Sequence, residues 1–252
     1  MEGGGGTPVF VYGALRSGTT VFRLMLDAHP ALSNCGEVDF LLDYLEPDPS
    51  RPCGWRYRRE EMVIDRIFRA RELALDPGLD GLALFEDMLA QLARRSPGRL
   101  TLNIHRHIDR LLAIRPDVEI VHLLRDPRDV ARSSIGMGWA GTLYHGVSHW
   151  IGTEQAWDRV VPRLGPGQVL TLRYEELFRD IEAELHRVCD FLDVPFDAAM
   201  LSYHEGSTYD PPDPQLVEQW RRKSTPEEIA ARRGPCRGTD GRAGLCADRP
   251  GG

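Results

Sequence analysis

The chain has 252 residues, 42% of them apolar and 27% charged, with a formal net charge of −7. This composition is typical of a folded globular protein and excludes a chain that is disordered throughout. No apolar run is long enough to span a bilayer, and the acidic balance disfavours nucleic acid, so we expect neither a membrane nor a nucleic acid as partner.

The first residues predict the location of the protein in the cell, and the cysteines predict their own redox state. Met1 and Glu2 are followed by four glycines instead of the basic and apolar stretches of a secretory signal, so we expect a cytoplasmic location. The five cysteines are odd in number and form no CxxC pair, which favours reduced thiols over a disulfide framework or a zinc site. We therefore expect no bound metal.

Short strands alternate with helices along the chain. Segments rich in apolar and β-branched residues predict strands at residues 9–12, 100–104, 119–124 and 168–173. Helical periodicity is clearest at residues 60–73, 84–94, 147–161 and 176–192. The alternation predicts an α/β protein with a three-layer fold of the P-loop type, in which helices flank a central parallel sheet of four to five strands.

Prolines and glycines mark two irregular regions. Pro47, Pro49 and Pro52 predict an irregular crossing before the helix predicted at residues 60–73. Residues 234–252 are rich in Gly and Arg without periodicity, which predicts a disordered tail. We therefore expect one domain over residues 1–233.

Residues 13–20, Gly-Ala-Leu-Arg-Ser-Gly-Thr-Thr, follow the first predicted strand and open a helix, as a phosphate-binding loop does. The glycines let the backbone curl around an anion, and the N–H groups of the following helix can donate to it. In nucleoside triphosphatases a Lys follows the second glycine and reaches the β- and γ-phosphates. Here that position is Thr19 and the cation is Arg16, inside the loop, which indicates a shorter anion. A tight turn without a ligand is the alternative.

The predicted strand at 119–124 runs into a second motif, Arg-Asp-Pro-Arg-Asp-Val-Ala-Arg-Ser at residues 125–133. Asp126 suits the N-cap of a helix, and Asp129 stands where a capping box has its acid. Arg125 and Ser133 could reach one phosphate if this helix lies along the ligand. A surface ion pair between Arg125 and Asp126 is the alternative.

These motifs resemble the sulfotransferase superfamily, whose donor is 3'-phosphoadenosine-5'-phosphosulfate (PAPS). Arg-Ser-Gly-Thr-Thr at 16–20, Leu-Asp-Ala-His-Pro at 26–30 and Gly-Glu at 36–37 are similar to its 5'-phosphosulfate loop and catalytic-Glu segment. The similarity is greatest to tyrosylprotein sulfotransferases and their bacterial relatives. Residues 125–133 resemble its segment for the 3'-phosphate. The resemblance implies that PAPS is the cofactor and that its sulfuryl group passes to an acceptor hydroxyl without a metal.

The resemblance also implies roles for individual residues. Arg16 would stabilise the leaving oxygen, Tyr174 would approach the nucleotide, and the segment at 220–223 would cover the 3'-phosphate. The residues implied to bind the cofactor are Arg16, Ser17, Gly18, Thr19, Thr20, Arg125, Ser133, Tyr174, Trp220, Arg221 and Arg222.

Glu37 is the predicted general base, since the resemblance places the catalytic Glu there. We expect partial burial to raise its pKa, as a base working near neutral pH requires. An ordinary surface Glu at the start of a helix over residues 38–45 is the alternative. His105 and His107 follow a predicted strand, where active-site residues gather, and are second candidates for the base. His122 lies inside a predicted strand and is expected to be a core residue.

The sequence departs from the family pattern at residue 103. Relatives often carry a Lys at this strand end, whereas this chain has Asn103. A protonated His105 could replace the missing cation, so His105 is also a candidate catalytic residue. The Gly-rich C-terminus is a second departure that could weaken closure over the cofactor.

Two other classes of protein are also compatible with this sequence. In a P-loop kinase or nucleoside triphosphatase, Asp126 would imitate the acid that follows an apolar strand and holds magnesium. A degenerate protein could retain nucleotide binding without activity. The acceptor is a peptide tyrosine, a phenolic metabolite or a carbohydrate, and residues 55–59 and 136–141 are expected to line its pocket.

Overall fold

The computed structural model describes residues 6–138, 143–205 and 213–223. The predicted tail at 234–252 and part of the predicted pocket segment at 136–141 lie outside these residues. No described helix combines the length and the apolar character needed to cross a membrane.

Strands and helices are numbered in chain order. The strands are β1 (Val9–Tyr12), β2 (Leu32–Glu37), β3 (Leu45–Pro47), β4 (Trp55–Tyr57), β5 (Arg99–Ile104), β6 (Glu119–Leu124) and β7 (Val169–Arg173). The helices are α1 (Thr19–Asp27), α2 (Phe40–Asp43), α3 (Arg59–Met62), α4 (Arg66–Ala70), α5 (Gly81–Arg94), α6 (Ile108–Ile114), α7 (Pro127–Gly136), α8 (Leu143–Val160), α9 (Tyr174–Arg179), α10 (Ile181–Phe191) and α11 (Gln219–Lys223).

Five strands form a parallel sheet in the order β2-β5-β1-β6-β7, which confirms the predicted α/β fold. The first strand, β1, is central, and Val11 pairs with Asn103 of β5 and with Val121 of β6. After β1 the chain continues to one side of the sheet, and after β6 it continues to the other. The carboxyl ends of β1 and β6 therefore form a topological switch point, where α/β proteins bind ligands.

Helices cover both faces of the sheet because the inner strands are apolar on both sides. On one face, α1, α9 and α10 pack against Val9, Val11 and Val121. On the other face, α5, α6 and α8 pack against Phe10, Tyr12 and Ile120. This burial holds β1 rigidly and fixes the position of the loop that follows it.

The strand β2 has no counterpart among the predicted strands. Its sequence, Leu-Ser-Asn-Cys-Gly-Glu, is typical of a turn, because Ser, Asn and Gly are uncommon in strands. It forms the edge of the sheet beside β5. The crossing predicted at the nearby prolines is irregular at residues 48–54, which include Pro49 and Pro52, and it joins the two strands of the antiparallel hairpin of β3 and β4.

Two predicted helices are each divided in two. The segment at 60–73 breaks before Asp65, whose carboxylate accepts hydrogen bonds from the N–H groups of Ile67 and Phe68 and begins α4. The segment at 176–192 breaks at Asp180, whose carboxylate caps α10 at Ala183. An Asp inside a helical pattern can therefore restart the helix, because its side chain competes for backbone N–H groups.

Candidate active site

The loops that follow β1, β5, β6 and β7 converge at the carboxyl edge of the sheet. These loops and the helices that follow them carry every candidate site residue except Glu37, which ends β2, and those of the C-terminal segment at 213–223. The sheet topology therefore brings the separate sequence motifs to one place.

The loop at 13–18 is tightly curled. Arg16 and Gly18 have φ angles of 71° and 93°, both in the left-handed region. The N–H of Ser17 donates to the carbonyl of Ala14 at 3.1 Å and closes the turn. A Cβ at Gly13 would lie 2.5 Å from the carbonyl oxygen of Leu123, so only glycine fits between the ends of β1 and β6.

The N-terminus of α1 opens into this loop. Gly18 is its N-cap and offers no side-chain acceptor to the first N–H groups of the helix. The side chain of Ser17 is fully buried, and among the described residues its hydroxyl has no hydrogen-bond partner. Buried polar groups are normally satisfied, so an unpaired hydroxyl beside open helix N–H groups fits an anion that binds in the loop.

The two predicted anion-binding segments contact each other directly. Arg16 donates from Nε to the hydroxyl of Ser133 at 2.9 Å. Arg125 donates from Nη1 to the backbone carbonyl of Arg16 at 2.9 Å. Arg125 is 5% exposed, so it is not the surface ion-pair residue of the alternative interpretation.

Tyr174 joins these segments from the end of β7. The Arg125 guanidinium lies 4.0 Å from the centre of its ring, within cation–π distance. The ring also packs on Gly18, where any Cβ would overlap with it. Tyr174 thus holds both the loop and Arg125 in place, and burial raises the pKa of its phenol.

The helix α7 begins as predicted, but the predicted capping box is wrong. Asp126 accepts a hydrogen bond from the N–H of Arg128 at 2.7 Å and so caps the helix. The N–H of Asp126 donates to Glu175, which follows β7, and not to Asp129. Asp129 instead accepts from the N–H of Trp220 at 2.9 Å. Tertiary partners on neighbouring elements therefore replace the local reciprocal cap.

The C-terminal segment at 213–223 docks on α7 beside Arg125. Arg125 donates from Nη2 to the carbonyl of Leu216 at 2.8 Å. The Trp220 ring is buried, with the Arg128 guanidinium 3.6 Å from its centre. Arg221 and Arg222 are exposed and bind Glu218 and the carbonyl of Gln215 within the same segment. Trp220 thus anchors the segment, and the exposed Arg221 guanidinium lies over the same ring, 4.7 Å from its centre.

Glu37 lies at the end of β2 next to the buried imidazole of His105. Its Oε1 is 3.6 Å from Nε2 of His105, an ion-pair distance that is too long for a hydrogen bond. His105 Nδ1 is 2.8 Å from the carbonyl of Gly13, which is an acceptor, so Nδ1 carries a proton and Nε2 faces Glu37. The buried carboxylate of Asp39 accepts from the backbone N–H of His105 at 2.8 Å.

The pKa shifts of this group differ from the sequence-based expectation. The adjacent His105 imidazole lowers the pKa of Glu37 and outweighs its partial burial, so the expected rise is wrong. Burial opposes protonation of His105, but Glu37 and Asp39 together raise its pKa. Burial raises the pKa of Asp39. Glu37 is therefore ionised at neutral pH and available to accept a proton.

The other histidines have partners of their own. His107 lies 3.3 Å from Asp43, which also binds Arg106. His122 is buried in the core as predicted, 3.2 Å from Glu154 and stacked on a tryptophan. Of the two second candidates for the base, only His105 is paired with Glu37 in the described structure.

Several site residues escaped the sequence analysis. Asp39 stands two positions after Glu37, and only the fold brings it to His105. Arg23 and Arg71 converge on Gly36: a Cβ there would lie 3.7 Å from Nη1 of Arg23 and 2.9 Å from Nη2 of Arg71. The helix that the loop at 13–20 opens contains Arg23, but the sequence could not show which residue lies opposite. Among the described residues, no group of three or more His, Cys, Asp or Glu could hold a metal ion.

Comparison with known proteins agrees with this geometry. A model of the sulfotransferase family matches residues 8–198. The chain belongs to the sulfotransferase family.

Its relatives include protein-tyrosine sulfotransferases. A putative protein-tyrosine sulfotransferase of Caenorhabditis briggsae is 27% identical over 209 residues, which are 78% of this chain and 69% of that protein. The protein-tyrosine sulfotransferase of Drosophila melanogaster is 24% identical over 78% of this chain and 40% of its own length. An uncharacterized protein of Aquifex aeolicus is 24% identical over 79% of this chain and 27% of its own length. The chain thus spans less than half the length of two of these relatives.

Solved structures share the fold at low identity. The sulfotransferase domain of the Synechococcus PCC 7002 olefin synthase superposes with a TM-score of 0.69 at 21% identity, covering 91% of this chain and 94% of that one. The sulfotransferase domain of the curacin biosynthetic pathway superposes with a TM-score of 0.65 at 19% identity, covering 86% of this chain and 91% of that one. A mouse sulfotransferase complexed with adenosine 3',5'-bisphosphate (PAP) superposes with a TM-score of 0.54 at 14% identity, covering 89% of this chain and 81% of that one.

The pair formed by Glu37 and His105 makes a pH-dependent contribution to stability. Since the folded pKa of Glu37 is below its ordinary 4.5, its charge stabilises the fold above that pH, and the effect is lost as the pH falls. Since the folded pKa of His105 is above its ordinary 6.5, its protonation stabilises the fold below that pH, and the effect is lost as the pH rises.

We therefore expect the difference in unfolding free energy between the wild type and Glu37→Gln to be largest between pH 4.5 and 6.5. Urea unfolding across the pH range measures this difference. The raised pKa of Asp39 gives its contribution to stability the opposite pH dependence from that of Glu37, but both proteins contain Asp39, so its contribution cancels in the difference. Arg23 and Arg106 stay charged throughout the pH range. A difference that does not vary with pH would contradict the pairing.

Proposed function

We propose that this sulfotransferase transfers the sulfuryl group of PAPS to an acceptor hydroxyl. The contact of Arg16 with Ser133 and of Arg125 with the carbonyl of Arg16 carries this proposal. These contacts join two proposed anion-binding segments at the ends of neighbouring strands, so that one ligand with two phosphate ends can reach both segments. A nucleoside triphosphate, whose phosphates form one chain, would need only the first segment.

The donor-binding roles follow from this arrangement. The loop at 13–20, with the open N-terminus of α1 and the unpaired hydroxyl of Ser17, suits the 5'-phosphosulfate. Arg125 and Ser133 suit the 3'-phosphate, since guanidinium and hydroxyl groups both donate to phosphate oxygens. When bound, PAPS supplies the sulfuryl group and leaves as adenosine 3',5'-bisphosphate (PAP).

The protein's part in the chemistry is to place and deprotonate the acceptor. Glu37 takes the proton of the acceptor hydroxyl as the new oxygen–sulfur bond forms and the bond to the bridging oxygen breaks. Arg16 and the loop N–H groups stabilise the negative charge that then develops on the 5'-phosphate oxygen. His105, held by Gly13 and paired with Glu37, orients the base and supplies positive charge at the site.

The charges next to Glu37 favour an acceptor that carries its own negative charge. Arg23 is half-buried and forms no hydrogen bond or ion pair with any residue that the structure describes. Nη2 of Arg71 donates to the carbonyl of Glu37 at 3.2 Å. Two converging guanidinium groups that form no ion pair with a carboxylate of the described residues suit an oxyanion from the substrate. Of the acceptors considered, a tyrosyl peptide with an acidic neighbour fits best.

The alternative functions fit the geometry less well. Asp126 caps its own helix and binds Arg128, so it is not free to hold magnesium as in a nucleoside triphosphatase. The pairing of Glu37 with His105 beside the phosphate loop favours a working catalyst over a degenerate nucleotide binder.

PAP should stabilise the protein without magnesium. At a hundred times its dissociation constant, a ligand adds about 2.7 kcal/mol to the unfolding free energy. Arg125→Ala should abolish most of this gain, whereas Arg187→Ala, a control at an exposed residue of α10, should keep it. Thermal melts with PAP and with magnesium-ATP test this. A protein that only magnesium-ATP stabilises would refute PAPS as the donor.

Replacing the proposed base should slow turnover without loss of donor binding. Glu37→Gln keeps the size of the side chain but cannot accept the proton, so we expect a loss of about 10²- to 10⁴-fold in kcat. Radiolabelled PAPS and a tyrosyl peptide measure kcat, and the thermal shift with PAP shows that the donor still binds. Glu86→Gln, on the exposed Arg115 ion pair, is the control. An unchanged rate would move the role of base to His105.

The role of Arg23 can be tested with a pair of acceptors. Hydrogen bonds to charged groups contribute about 1.5–3 kcal/mol, so Arg23→Ala should lower kcat/KM about 10- to 100-fold for a tyrosyl peptide with a neighbouring Asp. For the same peptide with Asn in place of Asp, the variant and the wild type should differ little. Arg163→Ala, an exposed site after α8, is the control. Equal losses for both peptides would exclude an anion site at Arg23.

A further inference from the structure

A buried chain of side-chain amides connects the phosphate loop to the segment that ends in Glu37. Asn103 of β5 donates from Nδ2 to the carbonyl of Thr19, the first residue of α1, at 3.2 Å. Asn103 Oδ1 accepts from Nδ2 of Asn34 in β2 at 3.0 Å. Asn34 Oδ1 accepts in turn from the N–H of Gly36 at 2.7 Å. The chain therefore runs from the loop to the residue before Glu37.

The two ends of this chain determine how both amides are oriented. The N–H of Gly36 can only donate, and the carbonyl of Thr19 can only accept. Asn34 must therefore present its oxygen to Gly36 and its nitrogen to Asn103, and Asn103 must present its nitrogen to Thr19. The remaining N–H of Asn34 donates to the hydroxyl of Thr101 at 2.9 Å, and that hydroxyl donates to the carbonyl of Ser33. Both N–H groups and the oxygen of the Asn34 side chain thus have partners.

The chain spans an irregularity in β2 that decides where Glu37 points. Asn34 pairs with Thr101, and Glu37 pairs with Asn103, so β2 has three steps where β5 has two. One extra residue is a β-bulge, and a shift of one residue moves a side chain to the opposite face of a sheet. In a regular strand Gly36 would stand opposite Asn103. The bulge puts Glu37 there instead, on the α1 face and next to His105.

Asn34 stabilises this bulge through the N–H of Gly36, whose φ of 81° only glycine adopts readily. Asn34 and Asn103 are 6% and 1% exposed, so water cannot replace a lost partner. A buried donor or acceptor left unpaired costs about 1–3 kcal/mol, which makes the arrangement sensitive to any change in one member.

We infer that Asn34 and Asn103 are positioning residues that set Glu37 relative to the phosphate loop. Asn34 stabilises the bulge that turns Glu37 toward His105. Asn103 connects Asn34 to the first residue of α1, because it bonds both to Asn34 and to the carbonyl of Thr19. The inference rests on the proposed function, because it assigns the amide pair to the alignment of the base with the donor.

The test compares Asn34→Ala with Gln91→Ala. Gln91 is also a buried amide that holds a backbone segment, but it lies on α5 and its partners are Ala74 and Asp87. Misplacing a reacting group by about 1 Å costs up to about 10²-fold in rate, so Asn34→Ala should lower kcat about 10- to 100-fold. Its affinity for PAP should be kept, because Asn103 still binds Thr19. Gln91→Ala should lose comparable thermal stability and keep kcat.

Asn103→Asp is the second variant, for use also if Asn34→Ala does not fold. An Asp at this position can still accept from Asn34 but has no N–H for the carbonyl of Thr19. We expect it to lower kcat and also to weaken PAP binding, because it disturbs the loop itself.

A readout that does not need activity is the titration of His105, followed by NMR in the full chain. Glu37 raises the pKa of His105, so a Glu37 that has turned away leaves that pKa lower. We expect Asn34→Ala to lower it toward its value in Glu37→Gln, and Gln91→Ala to leave it unchanged.

The outcomes separate the two proposals. An unchanged His105 titration in Asn34→Ala, or a kcat within about twofold of that of Gln91→Ala, overturns the positioning role. If the wild type transfers no sulfuryl group but the titration shifts as expected, the amide pair still positions Glu37, and the proposed function is what fails.

Discussion

The contact across β1 and β6 is the constraint on which the candidate site depends. Arg16 donates to Ser133, and Arg125 donates to the carbonyl of Arg16, so the loop after one strand and the helix after the next are held together. This is possible because β1 and β6 are neighbours whose connections leave in opposite directions, which opens a crevice between their ends. Gly13 permits the close approach, since a side chain there would strike the backbone of β6.

The part of the site around Glu37 is organised by a second set of interactions. The carbonyl of Gly13 fixes the buried imidazole of His105, Asp39 accepts from the backbone N–H of His105, and the ring faces Glu37. The same strand end thus holds both the phosphate loop and the proposed base. Charge explains the pKa shifts: Glu37 and His105 each favour the ionised form of the other. A carboxylate that is ionised yet half exposed suits a base that meets its substrate from solvent.

Much of the site could be predicted because its motifs are local. The loop at 13–20 and the segment at 125–133 each combine a strand end, a helix start and a cation within about ten residues, and the chemistry of such junctions follows from helix N-termini. Other features could not be predicted because they depend on distant partners. Asp129 stands in the place of a capping acid, yet it binds the N–H of Trp220. The strand β2 was missed because its polar residues are satisfied across the sheet and not along the chain.

The sequence by itself determined the class of fold, the order of the motifs and the residue types in the segments at 13–20 and 125–133, since these follow from periodicity and from junctions between adjacent elements. Only the tertiary structure decided that β2 joins the sheet, that its bulge turns Glu37 toward His105, and that Arg23 and Arg71 converge beside it. The physical reason is that these features rest on pairing between residues far apart in the chain. Local propensity disfavours a strand at Leu32–Glu37, and the buried amides of Asn34 and Asn103 overcome it once β5 lies alongside.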